Sequence, residues 1–421
     1  MVKLIVIIQI LIVTYRPLSL NRKDIIESYS AITVDGFDFI VTGRALASGI
    51  FSNWPVLRNP LFTAISTLDS VLGGIGIAFS VFIGIALSLQ FYSISKILKH
   101  FQINSIMSAS LFIVFFMNNI HFIDVYILSD AISLSLMLYG ISLIITKDDQ
   151  KKELIGGVII ITSSLGQFYT LFGLLFMLLP DKFILKYLIN KLKQRDSIIL
   201  IIYIIFTFLF RKLWTSLIGH DSVPANFSLL ELNLNMFNFY LNTWSVIFIP
   251  FIIVIIYLLT TNIKFLNVLL KSFFTNTGIY VSIIVGSFIF FYQWKESRFS
   301  YLLFIFVFIN LILIVSKTIN SKQTQNAMIL LALFTIVFNI IWTPRDNWQP
   351  RVGESRFFRP WVTERYWERV PFSLYVKLRD MNCSKDSKTN SNLEISSVIE
   401  SEIGKLWLNP NTVKFGIKNC L

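Results

Sequence analysis

The sequence predicts an all-α polytopic membrane protein. Hydrophobic residues make up 55% of its 421 residues and charged residues only 14%, whereas charged residues are roughly a quarter of a soluble domain. The mean hydropathy of +0.68 agrees with this class. We assign the net charge of +13 to cytoplasmic loops and to attraction of anionic headgroups, and expect no nucleic-acid partner.

About eleven apolar runs are long enough, with their interfacial flanks, to cross the hydrocarbon layer as helices. The expected spans are 3–19, 70–92, 104–118, 130–146, 154–166, 168–184, 197–213, 240–260, 275–292, 299–316 and 325–343. The first is expected to be a retained helix; a signal peptide is the alternative, but no small-residue cleavage site follows it. The glycines at 73, 74 and 76 fall inside the second run, which favours close helix packing.

Short basic stretches set the expected orientation, because positively charged loops face the cytoplasm. They are Lys96–Lys99, Lys147–Lys152, Lys186–Arg195, Lys264–Lys271 and Lys317–Lys322. All five fall on one side when 154–184 is counted as two spans, and a single span there would move the third stretch outside. We therefore expect a cytoplasmic N-terminus, a transmembrane core over 1–343 and a small periplasmic tail over 344–421.

The first periplasmic loop, about 17–69, carries two candidate catalytic carboxylates. Asp35 and Asp38 are three residues apart and would share one face of a helix. Capping of a helix such as 36–48 is the alternative, and it explains one aspartate more easily than two. We expect at least one of them to act as a general base.

A second acidic site is expected before the fourth span. Asp124 and Asp130 lie in or next to the loop at about 119–130, and Ser129 with Asp130 leads directly into an apolar helix. An ionisable group at a helix end that faces an outer cavity is a functional candidate. Helix capping by Ser129, with Asp130 in the first turn, is the structural alternative.

A short polar bridge before the tenth span supplies cations at headgroup depth. Lys295 and Arg298 are three residues apart and could clamp a phosphate, since arginine offers bidentate contacts. Ordinary snorkelling to lipid phosphates is the alternative. The two cysteines, Cys383 and Cys420, both lie in the tail, where an oxidising compartment would allow a disulfide if they meet.

Outer carboxylates, cations and aromatic side chains together fit sugar transfer from a lipid-phosphate donor. A carboxylate would deprotonate the acceptor hydroxyl, and the cations would stabilise the departing phosphate. The residues that carry this pattern also carry a resemblance. They are Asp35 with Phe39, the stretches Arg44–Gly49 and Arg58–Phe62, Ser129 with Asp130, and Glu296–Phe299.

In these stretches the chain resembles the GT-C superfamily of polyprenyl-phosphate-sugar-dependent glycosyltransferases. Family members often have two adjacent acidic residues in the first loop, whereas Gly36 follows Asp35 here. The resemblance therefore leaves the base open between Asp35 and Asp38, and we favour Asp35. Its architecture is more narrowly similar to the phage-type serotype-converting O-antigen glucosyltransferases of enteric bacteria.

That narrower resemblance implies an inverting enzyme of the bacterial inner membrane with its active site on the periplasmic side. It implies an undecaprenyl-phosphate-sugar donor, glucose being our first choice, and a lipopolysaccharide O-antigen or other lipid-linked glycan as acceptor. Donor-phosphate binding falls to Lys295, Arg298 and Arg44. Acceptor binding falls to Glu296, Trp294, Arg351, Arg356, Arg359 and Trp361.

Several alternatives stay open at this point. The arginine-rich tail could instead be an interfacial segment that binds anionic lipid. Asp35, Asp38 and Asp130 could hold a divalent cation by oxygen ligation, and no other cofactor is implied. A lipid-linked oligosaccharide flippase or other transporter should show repeated halves or broken helices, which the sequence does not display. A polysaccharide polymerase or ligase would rely on arginine-rich outer loops.

Overall fold

The fold is all-α, as the sequence predicts. The computed structural model describes residues 1–15, 34–51, 54, 59–74, 76–117, 129–146, 150–178, 192, 194–216, 249, 251–254, 256–257, 260, 267, 271, 281–287, 297–317, 322–341, 372–383 and 410–421. Within these residues there are helices and turns but no β-strand.

The helices follow one another along the chain in this order: α1 (Val2–Tyr15), α2 (Val34–Ala47), α3 (Pro60–Val71), α4 (Ile77–His100), α5 (Ser105–Phe116), α6 (Ser129–Ile145), α7 (Gln150–Ser163), a 3₁₀ segment (Phe168–Leu174), α8 (Leu175–Leu178), α9 (Arg195–Thr215), α10 (Ser297–Lys317), α11 (Lys322–Ile341), α12 (Phe372–Cys383) and α13 (Pro410–Lys418). The two apolar runs between 154 and 184 are separate elements, since a turn at 164–167 divides them.

Two of the described helices, α4 and α9, are long and apolar enough to cross a membrane, against the eleven spans expected. Other expected spans coincide with shorter apolar helices, among them α5 and α6. The helix α5 has 12 residues because Asn104 begins it, with its side chain accepting a hydrogen bond from the Met107 N–H, and the helix ends at Phe116. The expected spans at 240–260 and 275–292 lie largely outside the described residues.

The expected second span, 70–92, was placed too early. The helix α3 ends at Val71 and α4 begins at Ile77, so the glycine-rich stretch lies between two helices. Gly73, Gly74 and Gly76 have φ values of +98°, +67° and +87°. Glycine adopts this left-handed region at little cost. The expectation that these glycines pack inside a span was therefore wrong, because they form a turn.

The core of the bundle is dense and aromatic. The Phe115 ring lies 4.8 Å from that of Phe308, which joins α5 to α10. The helices α6 and α7 approach closely at glycines: a Cβ on Gly140 would lie 2.6 Å from the Gly156 carbonyl oxygen. Small residues at a helix crossing allow such backbone contact.

In the described part of the tail, α12 and α13 lie side by side and pack on α2 of the first loop, and we call this pair the tail hairpin. A disulfide joins Cys383 at the end of α12 to Cys420 just after α13, with the two Cα atoms 5.8 Å apart. The ring of Tyr375 in α12 meets that of Phe37 in α2 edge-on, with centroids 4.8 Å apart. Apolar residues of the hairpin, of α2 and of α3 form one buried cluster. The hairpin thus covers the helix that carries Asp35 and Asp38.

Candidate functional site

The helix α2 carries both first-loop aspartates. Asp35 is its second residue, and its side chain lies outside what the structure describes. Asp38 lies one turn further on and is fully buried. Asp35 is therefore in the first turn of α2, where an acidic residue can stabilise the helix end. Asp38 lies beyond that turn, so helix capping does not explain its burial.

The helix α3 holds α2 at close range. The Ser66 hydroxyl donates a hydrogen bond of 2.7 Å to the Phe39 carbonyl oxygen. A Cβ on Gly43 would collide with the backbone and side chain of Ser66, so only glycine fits at this crossing. The start of α3 is fixed by Asn59, whose side-chain oxygen accepts a hydrogen bond from the Phe62 N–H at 3.0 Å.

Asp69, near the end of α3, is a buried carboxylate that is not among the candidate residues predicted from the sequence. Its Oδ1 accepts a hydrogen bond from the Ala78 N–H at 2.9 Å, and its Oδ2 accepts one from the Gly76 N–H at 3.1 Å. These bonds tie α3 to the first turn of α4, where the helix dipole favours negative charge. The signal was an aspartate just before a glycine-rich stretch, which is typical of a turn and a helix start.

Arg44 lies beside Asp69 and shares a pocket with it. The pocket is small and opens to solvent, with room inside for about one water-sized group. Its lining residues come from α2, α3, the glycine turn and α4: Ile40, Arg44, Ser66, Asp69, Ser70, Gly74 and Phe79. It offers a guanidinium, a carboxylate and two hydroxyls on apolar walls, a set that can bind a small polar or anionic group.

Burial is the largest cause of the pKa shifts of Asp69, Arg44 and Tyr375. It raises the pKa of the Asp69 carboxyl, against the opposing effects of the Ala78 and Gly76 N–H groups and the charge of Arg44. Burial also lowers the pKa of Arg44, which the nearby Arg379 reinforces and Tyr375 and Asp69 oppose. The pKa of Tyr375 rises to about 12, mainly through burial. Each shift follows from the cost of holding charge away from water.

Asp130 is fully buried at the start of α6 and is bound from the turn after α7. The Tyr169 hydroxyl donates a hydrogen bond to its Oδ1. Gln167 donates from Nε2 to Asp130 Oδ2 at 3.2 Å and to the Ser129 hydroxyl at 2.7 Å. The carboxylate is thus oriented by Tyr169 and Gln167, neither of which is among the candidate residues predicted from the sequence.

The two acidic positions lie on neighbouring elements. A Cβ on Gly166, in the turn that holds Asp130, would come within 3.2 Å of Leu61 in the first turn of α3. A second link joins the first loop to the end of α9, where the rings of Trp54 and Trp214 lie 5.4 Å apart. The first loop, the Asp130 turn and the end of α9 therefore meet at one end of the bundle.

A buried polar network connects α6 to α10. Tyr301 donates from its hydroxyl to Gln90 Oε1 at 3.0 Å, and Gln90 Nε2 donates to the Ser135 hydroxyl at 2.8 Å. Tyr301 is one turn after Arg298, and Ser135 is just over one turn after Asp130. The network therefore joins the second turns of α6 and α10 through Gln90 of α4.

Several predicted site residues fall outside the described residues. They are Asp124, Trp294, Lys295, Glu296, Arg351, Arg356, Arg359 and Trp361. Arg298 is the second residue of α10, and its side chain is likewise outside the described part. Among the described residues, no group of three or more His, Cys, Asp or Glu side chains is arranged to hold a metal ion.

Comparison of the chain with protein-family models, with curated proteins and with solved structures found no match.

Proposed function

We propose that the chain is an integral membrane glycosyltransferase of the GT-C type with about eleven spans. It moves a sugar, glucose being our first choice, from undecaprenyl phosphate to O-antigen or another lipid-linked glycan on the periplasmic side of a bacterial inner membrane. The observation that carries the proposal is the clustering of α2, Arg44 and the Asp130 turn at one end of a helical bundle.

The contacts of this end support the expected orientation. The α2 helix touches the tail hairpin, Trp54 touches Trp214, and Asp130 is bound by Gln167 and Tyr169. Each contact joins two segments expected on the periplasmic side. Segments on opposite sides of roughly 30 Å of hydrocarbon could not touch in this way.

In the proposed reaction, the acceptor hydroxyl oxygen attacks the anomeric carbon from the face opposite the phosphate. Its proton passes to a first-loop carboxylate, which we assign to Asp35 rather than to Asp38, because Asp38 is fully buried within the helix packing. The bond from the anomeric carbon to the phosphate oxygen breaks, and its electron pair leaves with the lipid phosphate. The configuration at the anomeric carbon is inverted.

The remaining residues bind and orient the two substrates. Arg44, with Lys295 and Arg298, stabilises the negative charge that develops on the departing phosphate. Trp294, Glu296 and the tail residues Arg351, Arg356, Arg359 and Trp361 hold the acceptor glycan. The Asp130 carboxylate is also fully buried, and its hydrogen bonds with Tyr169 and Gln167 hold the turn after α7 against the start of α6, beside the proposed site.

The test is label transfer by the purified protein in lipid, with polyprenyl-phosphate glucose as donor and lipid-linked O-antigen as acceptor. The Asp35→Asn variant should lose about 100-fold or more of the rate, the range expected when a general base is removed. Asp380→Asn, which removes a carboxylate that is 62% exposed beside Arg379, is the control and should retain activity. Full activity of Asp35→Asn would refute the assignment of the base.

A further inference from the structure

Three helices of the bundle meet at one fully buried amide side chain. Gln90, in the middle of α4, accepts a hydrogen bond of 3.0 Å at Oε1 from the Tyr301 hydroxyl of α10. Its Nε2 donates a hydrogen bond of 2.8 Å to the Ser135 hydroxyl of α6. None of the three side chains is exposed to solvent. We call Gln90, Tyr301 and Ser135 the amide junction.

The amide junction lies among apolar side chains. The Phe304 ring, three residues after Tyr301, is 5.6 Å from the Phe115 ring of α5, and Ile94 and Leu138 are fully buried in the same cluster. Apolar contacts are non-directional, so they allow neighbouring helices to pack at more than one relative height. Hydrogen bonds are short and directional. A displaced amide would lose its partners where no water can replace them, and the junction therefore selects one axial register.

The contacts beside the junction show that α4 and α6 run in the same direction. Tyr92 is two residues after Gln90, and Tyr139 is four residues after Ser135. The rings of these two tyrosines lie 5.9 Å apart, so the pairs of contacting residues advance along both helices together. In the proposed topology α10 begins at the same end of the bundle as α4 and α6.

The junction thereby fixes the height at which α10 begins. Arg298 precedes Tyr301 by three residues, and Asp130 precedes Ser135 by five. These separations correspond to roughly 4.5 and 7.5 Å along the two helix axes. The backbone of Arg298 therefore lies close to the level of the start of α6, at the end of the bundle that holds the proposed site.

We propose that Gln90 is a positioning residue, which sets the depth of Arg298 in the membrane through Tyr301. This inference rests on the proposed function, in which Arg298 acts on the donor phosphate. A slip of α10 by one helical turn would move that arginine by roughly 5.4 Å, and displacements of about 1 Å already weaken catalysis. Gln90 acts through Tyr301 and α10 and makes no contact with the substrate.

The first experiment compares the purified wild type with Tyr301→Phe in nanodiscs, with polyprenyl-phosphate glucose as donor and lipid-linked O-antigen as acceptor. The variant keeps the ring and removes the hydroxyl that Gln90 binds. The KM for the donor should rise about fivefold, the effect of one lost hydrogen bond, while the KM for the acceptor should change less than about twofold. An equal rise in both KM values would overturn the proposal, because it would indicate general distortion of the site.

Ser282→Ala is the matched control, because it removes a hydrogen bond at another height of α10. Asn310 Nδ2 donates to the Ser282 hydroxyl at 2.7 Å. Asn310 is nine residues after Tyr301, which is roughly 13 Å further along the helix axis. This variant should keep the donor KM within about twofold of the wild type. An equal rise for Ser282→Ala and Tyr301→Phe would overturn the proposal, because any lost bond on α10 would then suffice.

A double variant separates positioning from stability. Gln90→Leu combined with Tyr301→Phe replaces both hydrogen-bonding partners by apolar side chains, which can be nearly neutral for stability. Ser135 keeps the Ala131 carbonyl oxygen as its acceptor. The thermal unfolding temperature should therefore lie closer to that of the wild type than the temperature of Tyr301→Phe does, while the donor KM stays raised. Recovery of both would overturn the proposal. This variant also decides the matter if Tyr301→Phe fails to fold.

A distance measurement tests the inference without activity. Spin labels at His100→Cys and Lys317→Cys mark the exposed last residues of α4 and α10. Double electron–electron resonance should give a narrow distance distribution with the junction intact, and a broader or shifted one with Gln90→Leu and Tyr301→Phe. A changed distribution without transfer by the wild type would uphold the register of α10 and reject the proposed function. An unchanged distribution with transfer by the wild type would uphold the function and overturn this inference.

Discussion

Asp69 makes hydrogen bonds that support the fold, while its burial disfavours the charged form of its carboxyl group. Its two carboxylate oxygens accept from the N–H groups of Gly76 and Ala78, so it holds the start of α4. Its pKa is raised by burial all the same, and therefore its charge opposes folding. Sequence patterns cannot separate these two effects, because one depends on backbone geometry and the other on depth.

The pH dependence of stability should reveal Asp69. A carboxyl whose pKa is raised in the folded state binds its proton more tightly there than in the unfolded chain. Its contribution to stability is therefore highest below the ordinary value of 3.8 and falls as pH rises from there to the raised pKa. Urea unfolding of the wild type and of Asp69→Asn across this range should show that the free energy of unfolding of the wild type falls relative to that of the variant as pH rises. A constant difference between the two would contradict the assigned shift.

At the level of elements, the crossing of α2 and α3 depends on a missing side chain. Gly43→Ala would force its new methyl group against Ser66, and overpacking of this kind typically costs about 1–3 kcal/mol. Gly286→Ala is the matched control, since its Cβ would lie 3.8 Å from the nearest atom, in Leu303. Unfolding in detergent should separate the two variants. Equal stability would mean that α2 lies further from α3 than described.

A disulfide and hydrogen bonds from Tyr375, Arg379 and Asn382 hold the tail hairpin together. Tyr375 donates from its hydroxyl to the Leu421 main-chain oxygen at 2.8 Å, close to the Cys383–Cys420 bond. The cysteines are 37 residues apart, and closing a loop of that length stabilises by about 3–4 kcal/mol in the chain-entropy model. Cys383→Ser should therefore speed hydrogen exchange in α12 and α2. Faster exchange confined to α12 would mean that the hairpin does not support α2.

The described elements show what sequence patterns can and cannot reveal. Ser129 and Asp130 at a helix start follow from capping rules, and the helix does begin there. The partners of Asp130 lie 37 and 39 residues further along, and only tertiary packing brings them close. Asp69 was missed because it stands at the last position of the expected first loop, next to the expected span at 70–92, whereas the glycines that follow it form a turn that its carboxylate caps.

At the scale of the whole molecule, the proposed orientation requires two marker positions on opposite sides of the membrane. A reporter fused after residue 190 should read as cytoplasmic, and one fused after residue 343 should read as periplasmic. The reason is the distribution of basic loops, together with the contact between α2 and the tail hairpin. Both reporters on one side would rule out the eleven-span arrangement.

The central claim is that the protein uses a membrane-borne, lipid-phosphate-activated sugar. The most direct measurement offers the purified wild type two glucose donors in separate reactions, labelled polyprenyl-phosphate glucose and a labelled nucleotide sugar. Lipid-linked O-antigen is the acceptor in both reactions. The account predicts label in glycan from the lipid-phosphate donor only. Label from the nucleotide sugar, or movement of the labelled lipid across the bilayer without transfer to glycan, would contradict it.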